Sequence, residues 1–118
     1  MIEELKIFEK HPLKECIKEC LDAGYFPATQ KEFLEHKKNK TIKRLNDSFD
    51  TSTLVNFETQ KFKDATLKEL QNIEKTYNQG WRLVWVGSVG DDGSADGGNV
   101  LYNVNGRLLG IKKPKRKT

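Results

Sequence analysis

The stretch WRLVWVGSV, residues 81–89, decides the fold that the sequence predicts. It is rich in the β-branched and aromatic residues that favour strands. Side chains of a strand alternate between its two faces. This alternation puts Trp81, Leu83 and Trp85 on one face and two valines on the other. Because both faces are apolar, we expect a strand in the middle of a sheet.

A hairpin is predicted downstream of this strand. Asn105-Gly106 lies between two strand-like runs, a pattern typical of a two-residue type I′ turn. The turn would pair Val104 with Arg107, Tyr102 with Leu109 and Val100 with Ile111. Together with the central strand it makes a three-stranded antiparallel meander. The β-prone run TLVNF, residues 53–57, is a candidate fourth strand, and residues 46–53 before it are predicted as a loop.

Three helices are predicted upstream of the meander. The first follows Pro12, ends near Gly24 and carries one continuous apolar stripe: Leu13, Cys16, Ile17, Cys20 and Leu21. The pairs Thr29/Glu32 and Thr66/Glu69 are capping-box patterns that open the second and third helices. The third helix is expected to end at Asn78 and Gly80 and to turn these residues inward: Leu67, Leu70, Ile73 and Tyr77.

These elements predict an α+β fold, with three helices packed on one face of a small antiparallel sheet. Residues 1–111 form a single α+β domain in this interpretation, and residues 112–118 form a disordered basic tail. A chain of 118 residues is the usual size of one domain. Its N-terminus is acidic and mixed, unlike a secretory signal, so we expect a soluble, cytoplasmic protein with no membrane contact.

The net charge of +4 comes from the tail. Of the 21 basic residues five lie in the tail, and the remaining 16 face 17 acidic residues. A second basic cluster lies in mid-chain. The two clusters are the candidate polyanion-binding residues: Lys37, Lys38, Lys40, Lys43, Arg44, Lys112, Lys113, Lys115, Arg116 and Lys117. They could neutralise phosphates and give weak, sequence-independent binding to nucleic acid.

The run DDGSADGG, residues 91–98, matches the first half of a calcium loop, because Asp92, Ser94 and Asp96 are spaced two residues apart before a glycine. The second half fails, since Asn103 stands where a bidentate glutamate is expected. Aspartate and glycine are also common turn formers. We therefore predict no metal site and interpret the run as a binding loop between two strands, with these candidate residues: Asp91, Asp92, Ser94, Asp96 and Asn99.

Two cysteines and two histidines could be combined into a zinc site. The spacing of His11, Cys16, Cys20 and His36 is irregular, and zinc sites usually have short ligand knuckles. Both cysteines also lie in the apolar stripe of the first helix. We therefore predict reduced, buried thiols, and we expect no cofactor.

No catalytic constellation is evident in the sequence. Ser88 and Ser94 have no base nearby in sequence, and the carboxylates outside the Gly/Asp loop are scattered among lysines, as on a solvated face. The chain is therefore predicted not to be an enzyme.

Two segments resemble C-type-lectin-like domains. KECIKECLDAGYFPATQKEFLEHKK is similar to their opening pair of helices, and VWVGS is similar to their WIGL-type strand. The resemblance implies a related fold. It does not imply sugar binding, because the Glu-Pro-Asn and Trp-Asn-Asp motifs and the late cysteines of that family are absent.

The expected function is a small non-catalytic binding module for an unknown protein or ligand. It would use the Gly/Asp-rich loop and the adjacent sheet surface, where Trp81, Trp85 and Tyr102 could supply aromatic contacts. The alternative is a nucleic-acid-associated accessory protein that works through the two basic clusters.

Overall fold

The computed structural model describes residues 4–39, 49–56, 58–86, 93–94 and 106–112. In chain order their elements are β1 (Glu4–His11), α1 (Leu13–Asp22), β2 (Phe26–Pro27), α2 (Gln30–Lys38), β3 (Phe49–Asn56), β4 (Lys61–Asp64), α3 (Leu67–Gln71), α4 (Ile73–Asn78), β5 (Trp81–Val86), β6 (Gly93–Ser94) and β7 (Gly106–Lys112). The predicted α+β class is confirmed. No helix among these residues is long and apolar enough to cross a membrane.

The strands form one sheet in the order β1-β7-β3-β5-β6, with β2 beside β7 and β4 beside β3. The strand β5 lies between β3 and β6, which confirms the prediction of an inner strand. All neighbours are antiparallel except β3 and β7, which are parallel and meet where Asp50 lies opposite Leu108. The sheet is therefore mixed rather than purely antiparallel.

The strands β3 and β7 separate beyond Asp50, and two short strands line the two sides of the opening. The strand β2 pairs with β7, whereas β4 pairs with β3. Ser52 joins the two branches, because its N–H donates to the Ala28 carbonyl at 2.9 Å and its carbonyl accepts from the Ala65 N–H at 2.8 Å. We call this Y-shaped region, where β2 and β4 lie between β3 and β7, the fork.

Two hydrophobic cores lie on opposite faces of the sheet. The α1-side core joins α1, α3 and α4 to one face through Phe8, Leu13, Cys16, Ile17, Cys20, Leu54, Ala65, Leu70, Ile73, Leu83 and Leu108. The α2-side core joins α2 to the other face through Ala28, Phe33, Phe49, Val86, Leu109 and Ile111. Leu108 and Leu109 are consecutive in β7 and belong to different cores, as alternation along a strand requires.

The prediction that all helices pack on one face is therefore wrong. An inner strand with two apolar faces needs cover on both, and α2 supplies the second layer.

The helix predicted after Thr66 is also corrected. Its capping box with Glu69 is present, but the helix is interrupted at Asn72, whose φ of −117° and ψ of 44° are not helical. The result is two short helices, α3 and α4. Leu70 and Ile73 are buried as predicted, whereas Leu67 is 43% exposed.

The predicted meander differs from the observed sheet. Arg107, Leu109 and Ile111 lie opposite Glu9, Ile7 and Leu5 of β1. The other edge of β7 pairs with β3 and β2, so the predicted hairpin register is wrong for this strand. Its other half, residues 100–104, lies outside the described residues. The strand β1 was not predicted, because its charged residues hide its alternation.

The predicted loop at residues 46–53 is wrong from Phe49 onward, because β3 begins there. Asp50, Thr51, Ser52 and Thr53 are residue types common in turns, yet all four are buried in this strand. The first two helices are confirmed. Thr29 caps α2 in a full capping box with Glu32, and Gly24 follows α1 with a φ of +84°.

Candidate functional site

A half-open groove of about 400 Å³ runs between α1 and the α3–α4 pair. Its floor is made of Ile17 from α1, Leu70 from α3 and Ile73 from α4, which are almost fully buried. Leu21 continues the floor along α1 and is partly exposed. The floor is therefore aliphatic and belongs to the outer layer of the α1-side core.

The rim of the groove carries charged side chains of both signs. Lys14, Glu15, Lys18 and Asp22 line it from α1, and Gln71 lines it from α3. Lys14 donates to the Glu74 carboxylate, so an ion pair joins α1 to α4 across one end of the groove. An apolar floor with a polar rim is the arrangement of sites that hold an apolar group and leave its polar end in water.

The buried polar run Asp50–Thr53 is a second region with side chains that could take part in binding or chemistry. Thr51 Oγ1 donates to the Val84 carbonyl at 2.8 Å, and Ser52 Oγ donates to the Pro27 carbonyl at 2.7 Å. The Val84 carbonyl lies where the pairing of β3 with β5 is irregular, between Asp50 and Leu54. These hydroxyls donate to carbonyl groups of β5 and β2, so they help to hold the fork together.

Asp50 and Tyr77 add ionisable groups to the same region. An Asp50 carboxylate oxygen accepts from the Arg107 N–H at 3.2 Å, and the Tyr77 hydroxyl accepts from the Leu83 N–H at 3.3 Å. Burial is the main cause that raises the pKa of Tyr77 to about 12; the hydrogen bond from the Leu83 N–H lowers it, the charge of Asp50 raises it and that of Arg82 lowers it. Tyr77 is thus neutral at ordinary pH and supports the backbone of β5.

Both cysteines are buried in the α1-side core, as predicted, and neither forms a disulfide. Cys16 Sγ donates to the Gly106 carbonyl at 3.6 Å. Burial raises the pKa of Cys20 from 9.0 to about 12, with Cys16 adding to the shift. At Gly110 an added Cβ would lie only 3.2 Å from Cys20 Sγ and 2.7 Å from Phe8 Cε2, so α1 packs closely on β7 only because glycine is there.

The predicted loop site is mostly outside the described residues, which include neither Asp91 and Asp92 nor Asp96 and Asn99. Ser94 is placed in β6, opposite Trp85 of β5, and Gly93 lies opposite Val86. Val86 also lies opposite Phe49 of β3. The predicted meander pairs residues 86–89 with residues 100–104; at Val86 the partners are Phe49 and Gly93 instead, and the rest of that predicted pairing lies outside the described residues. Within the described residues, no group of three or more His, Cys, Asp or Glu side chains could hold a metal ion.

The predicted polyanion residues are placed only in part. Lys37 and Lys38 lie in the last turn of α2, and Lys112 is the last residue of β7, with its ammonium group 5.7 Å from the centre of the Tyr25 ring. The other members lie outside the described residues: Lys40, Lys43, Arg44, Lys113, Lys115, Arg116 and Lys117. Binding of polyanions through this set stays a prediction.

The sequence predicted that the floor residues face inward, but it did not predict a groove. Ile17, Leu70 and Ile73 were predicted as inward-facing members of separate helical stripes. Periodicity identifies such a stripe, but it carries no signal for how completely two stripes close against each other.

Family models, curated proteins and solved structures were compared with the chain, and none of them matched. The resemblance to C-type-lectin-like domains stays a prediction.

Proposed function

We propose that this protein is a small binding module that holds the apolar part of a ligand in the groove between α1 and the α3–α4 pair. The observation that carries the proposal is the aliphatic floor of Ile17, Leu70 and Ile73 within a groove of about 400 Å³. Pockets for small ligands usually measure roughly 300–1,000 Å³ and are lined mainly by apolar groups. An alkyl chain or a flat ring of moderate size fits this range.

The arrangement of polar groups favours binding over catalysis. The charged side chains lie at the rim of the groove, whereas the side chains of its floor are aliphatic. General acid–base chemistry needs an ionisable group within hydrogen-bonding reach of the reacting atom, held by its surroundings. At the rim, Lys14 forms an ion pair with Glu74.

The Gly/Asp-rich loop keeps a part in this proposal. The pairing of Gly93-Ser94 with β5 brings the middle of the loop to the edge of the sheet. Trp85 is half-buried at that edge. This edge of the sheet stays a candidate contact surface, as expected from the sequence.

The test is a titration with octanoate and, separately, with 1-octanol, followed by amide chemical shifts. We expect shifts for residues 12–22 and 70–73 with both probes, because the alkyl chain supplies the binding energy. The variant Gln71→Trp should block the groove and abolish these shifts. Gln79→Trp is the matched control, since Gln79 is exposed and does not line the groove.

Absence of shifts at millimolar probe would contradict the proposal. So would shifts that persist in Gln71→Trp to the same extent as in Gln79→Trp.

A further inference from the structure

The strand β4, Lys-Phe-Lys-Asp, lies on the β3 branch of the fork and pairs with β3 along its whole length. All four of its residues are exposed. Among the described residues no strand pairs with its other edge. A strand in this position presents a row of backbone N–H and C=O groups that can pair with another extended chain.

Phe62 in the middle of β4 is exposed to an unusual degree. Its side chain is 59% exposed. Among the described residues Leu67 is the other large apolar side chain that is exposed, at 43%. Its cross-strand partner Val55 is already buried. Because the core does not use the Phe62 ring, the ring is available as an anchor for a partner.

The two lysines of β4 point to the side opposite Phe62. Lys63 is held in place, since its ammonium group lies 2.7 Å from Glu69 Oε2 and 4.6 Å from the centre of the Trp81 ring. Lys61 has no ion pair or hydrogen bond to the part of the chain that the structure describes. The open edge thus presents an apolar group on one side and, on the other, the positive charge of Lys61 beside the Lys63–Glu69 ion pair.

We propose that β4 binds an extended acidic segment of a partner protein, which adds to the sheet as a strand. Strand addition draws its affinity from backbone hydrogen bonds and its specificity from alternate side chains. Here the partner would place an apolar side chain on Phe62 and carboxylates beside Lys61 and Lys63. This site is separate from the groove, so the proposal does not depend on the proposed function.

The charge of β4 decides between this occupant and the alternatives. Antiparallel pairing of two β4 strands from two copies would bring their lysines together on one face, and like charges across strands are destabilising. A nucleic acid could use the lysines and Phe62, but it has no peptide backbone to pair with the open edge. An acidic peptide satisfies the backbone, the ring and the lysines together.

The probe is a synthetic capped peptide of alternating glutamate and valine, titrated into the full chain and followed by amide chemical shifts. We expect shifts at residues 61–64. A peptide of alternating lysine and valine is the charge control, and it should bind much more weakly.

Two variants sharpen the test. Phe62→Ala should weaken binding of the glutamate–valine peptide about tenfold, because it removes the apolar anchor. Lys61→Glu should weaken it about twofold to fivefold, the range of an exposed ion pair. Lys75→Glu is the matched control, because Lys75 is an exposed lysine of α4 and does not belong to β4. It should bind like the parent chain.

Five results would overturn the proposal, and four of them come from the titrations. They are no shift at residues 61–64, equal binding of the lysine–valine peptide, equal binding by Lys61→Glu and Lys75→Glu, and stronger shifts at these residues with oligothymidylate. Shifts that grow with protein concentration in the absence of peptide would also overturn it, because they would identify a second copy as the occupant.

Discussion

The two cores of this molecule are covered in different ways. On the α1 side, α1 alone buries Leu13, Cys16, Ile17 and Cys20, and α3 and α4 add Leu70 and Ile73. On the other side, α2 buries a single residue completely, Phe33, whose ring centre lies 4.9 Å from that of Phe49. The first core is shared among several helices, whereas the helical side of the second consists mainly of one aromatic side chain, Phe33.

This difference has a consequence for function as well as for stability. On the other face α2 contributes one fully buried side chain, Phe33. Several helices on one face meet along their sides, and where they do not close a groove remains, as between α1 and the α3–α4 pair. The side of the sheet that carries more helices therefore also carries the groove.

The largest expected effect comes from the α2 side. Phe33→Ala should lower the free energy of unfolding by about 3–5 kcal/mol, the usual cost of emptying a buried aromatic site. Urea denaturation measures this change. Leu34→Ala is the control, because Leu34 is only partly buried against the same core. If the two variants lose equal stability, the α2-side core does not depend on Phe33 as described.

A smaller effect is expected for a polar change on the α1 side. Cys16→Ser should lower the free energy of unfolding by about 1–3 kcal/mol, because a hydroxyl costs more to bury than a thiol. Several neighbouring side chains share this core, so the loss should stay below that of Phe33→Ala. A Cys16→Ser variant as stable as the parent chain would show that the thiol does not lie in the core.

The smallest effect is a decrease of the free energy of unfolding at alkaline pH, which comes from groups of the α1-side core. The pKa of Cys20 is raised from 9.0 to about 12 by burial, so the folded chain holds this proton more tightly than the unfolded chain. The stability due to this shift is complete below pH 9 and falls as pH rises from 9 towards 12. Tyr77, raised from 10.0 to about 12 by burial, should add a second loss above pH 10.

The measurement is the free energy of unfolding of the parent chain and of Cys20→Ala between pH 8 and about 9.5, where Tyr77 is still mostly protonated in the unfolded chain as well. The parent should lose stability with rising pH above 9, and Cys20→Ala should show a flatter profile. Parallel profiles would mean that Cys20 does not titrate differently in the two states.

Local patterns predicted the local elements well. The stripe from Leu13 to Leu21, the capping box of Thr29 with Glu32 and the two-sided run at residues 81–86 correspond to α1, α2 and β5. Each of these signals depends on residues within one element. For the candidate site, the same signals identified which side chains of α1, α3 and α4 face inward, apart from the exposed Leu67.

The errors have a common physical origin in long-range pairing. Glu4–His11 shows little strand pattern of its own, and it becomes β1 because β7 offers it an edge. Asp50–Thr53 has the composition of a turn, yet it is a buried strand segment, because its hydroxyls find carbonyl partners on Val84 and Pro27. Neither partner is near in sequence.

By itself the sequence determined the α+β class, the starts of α1, α2 and α3 and the inner position of β5, since periodicity, caps and apolar faces act over a few residues. Tertiary structure alone decided the strand order, the fork, the second helical layer and both candidate binding surfaces. The groove exists because α1 meets the α3–α4 pair incompletely, and the β4 edge is open because β3 and β7 diverge. Both depend on how elements that are far apart in sequence pack against each other, which no local pattern of residues specifies.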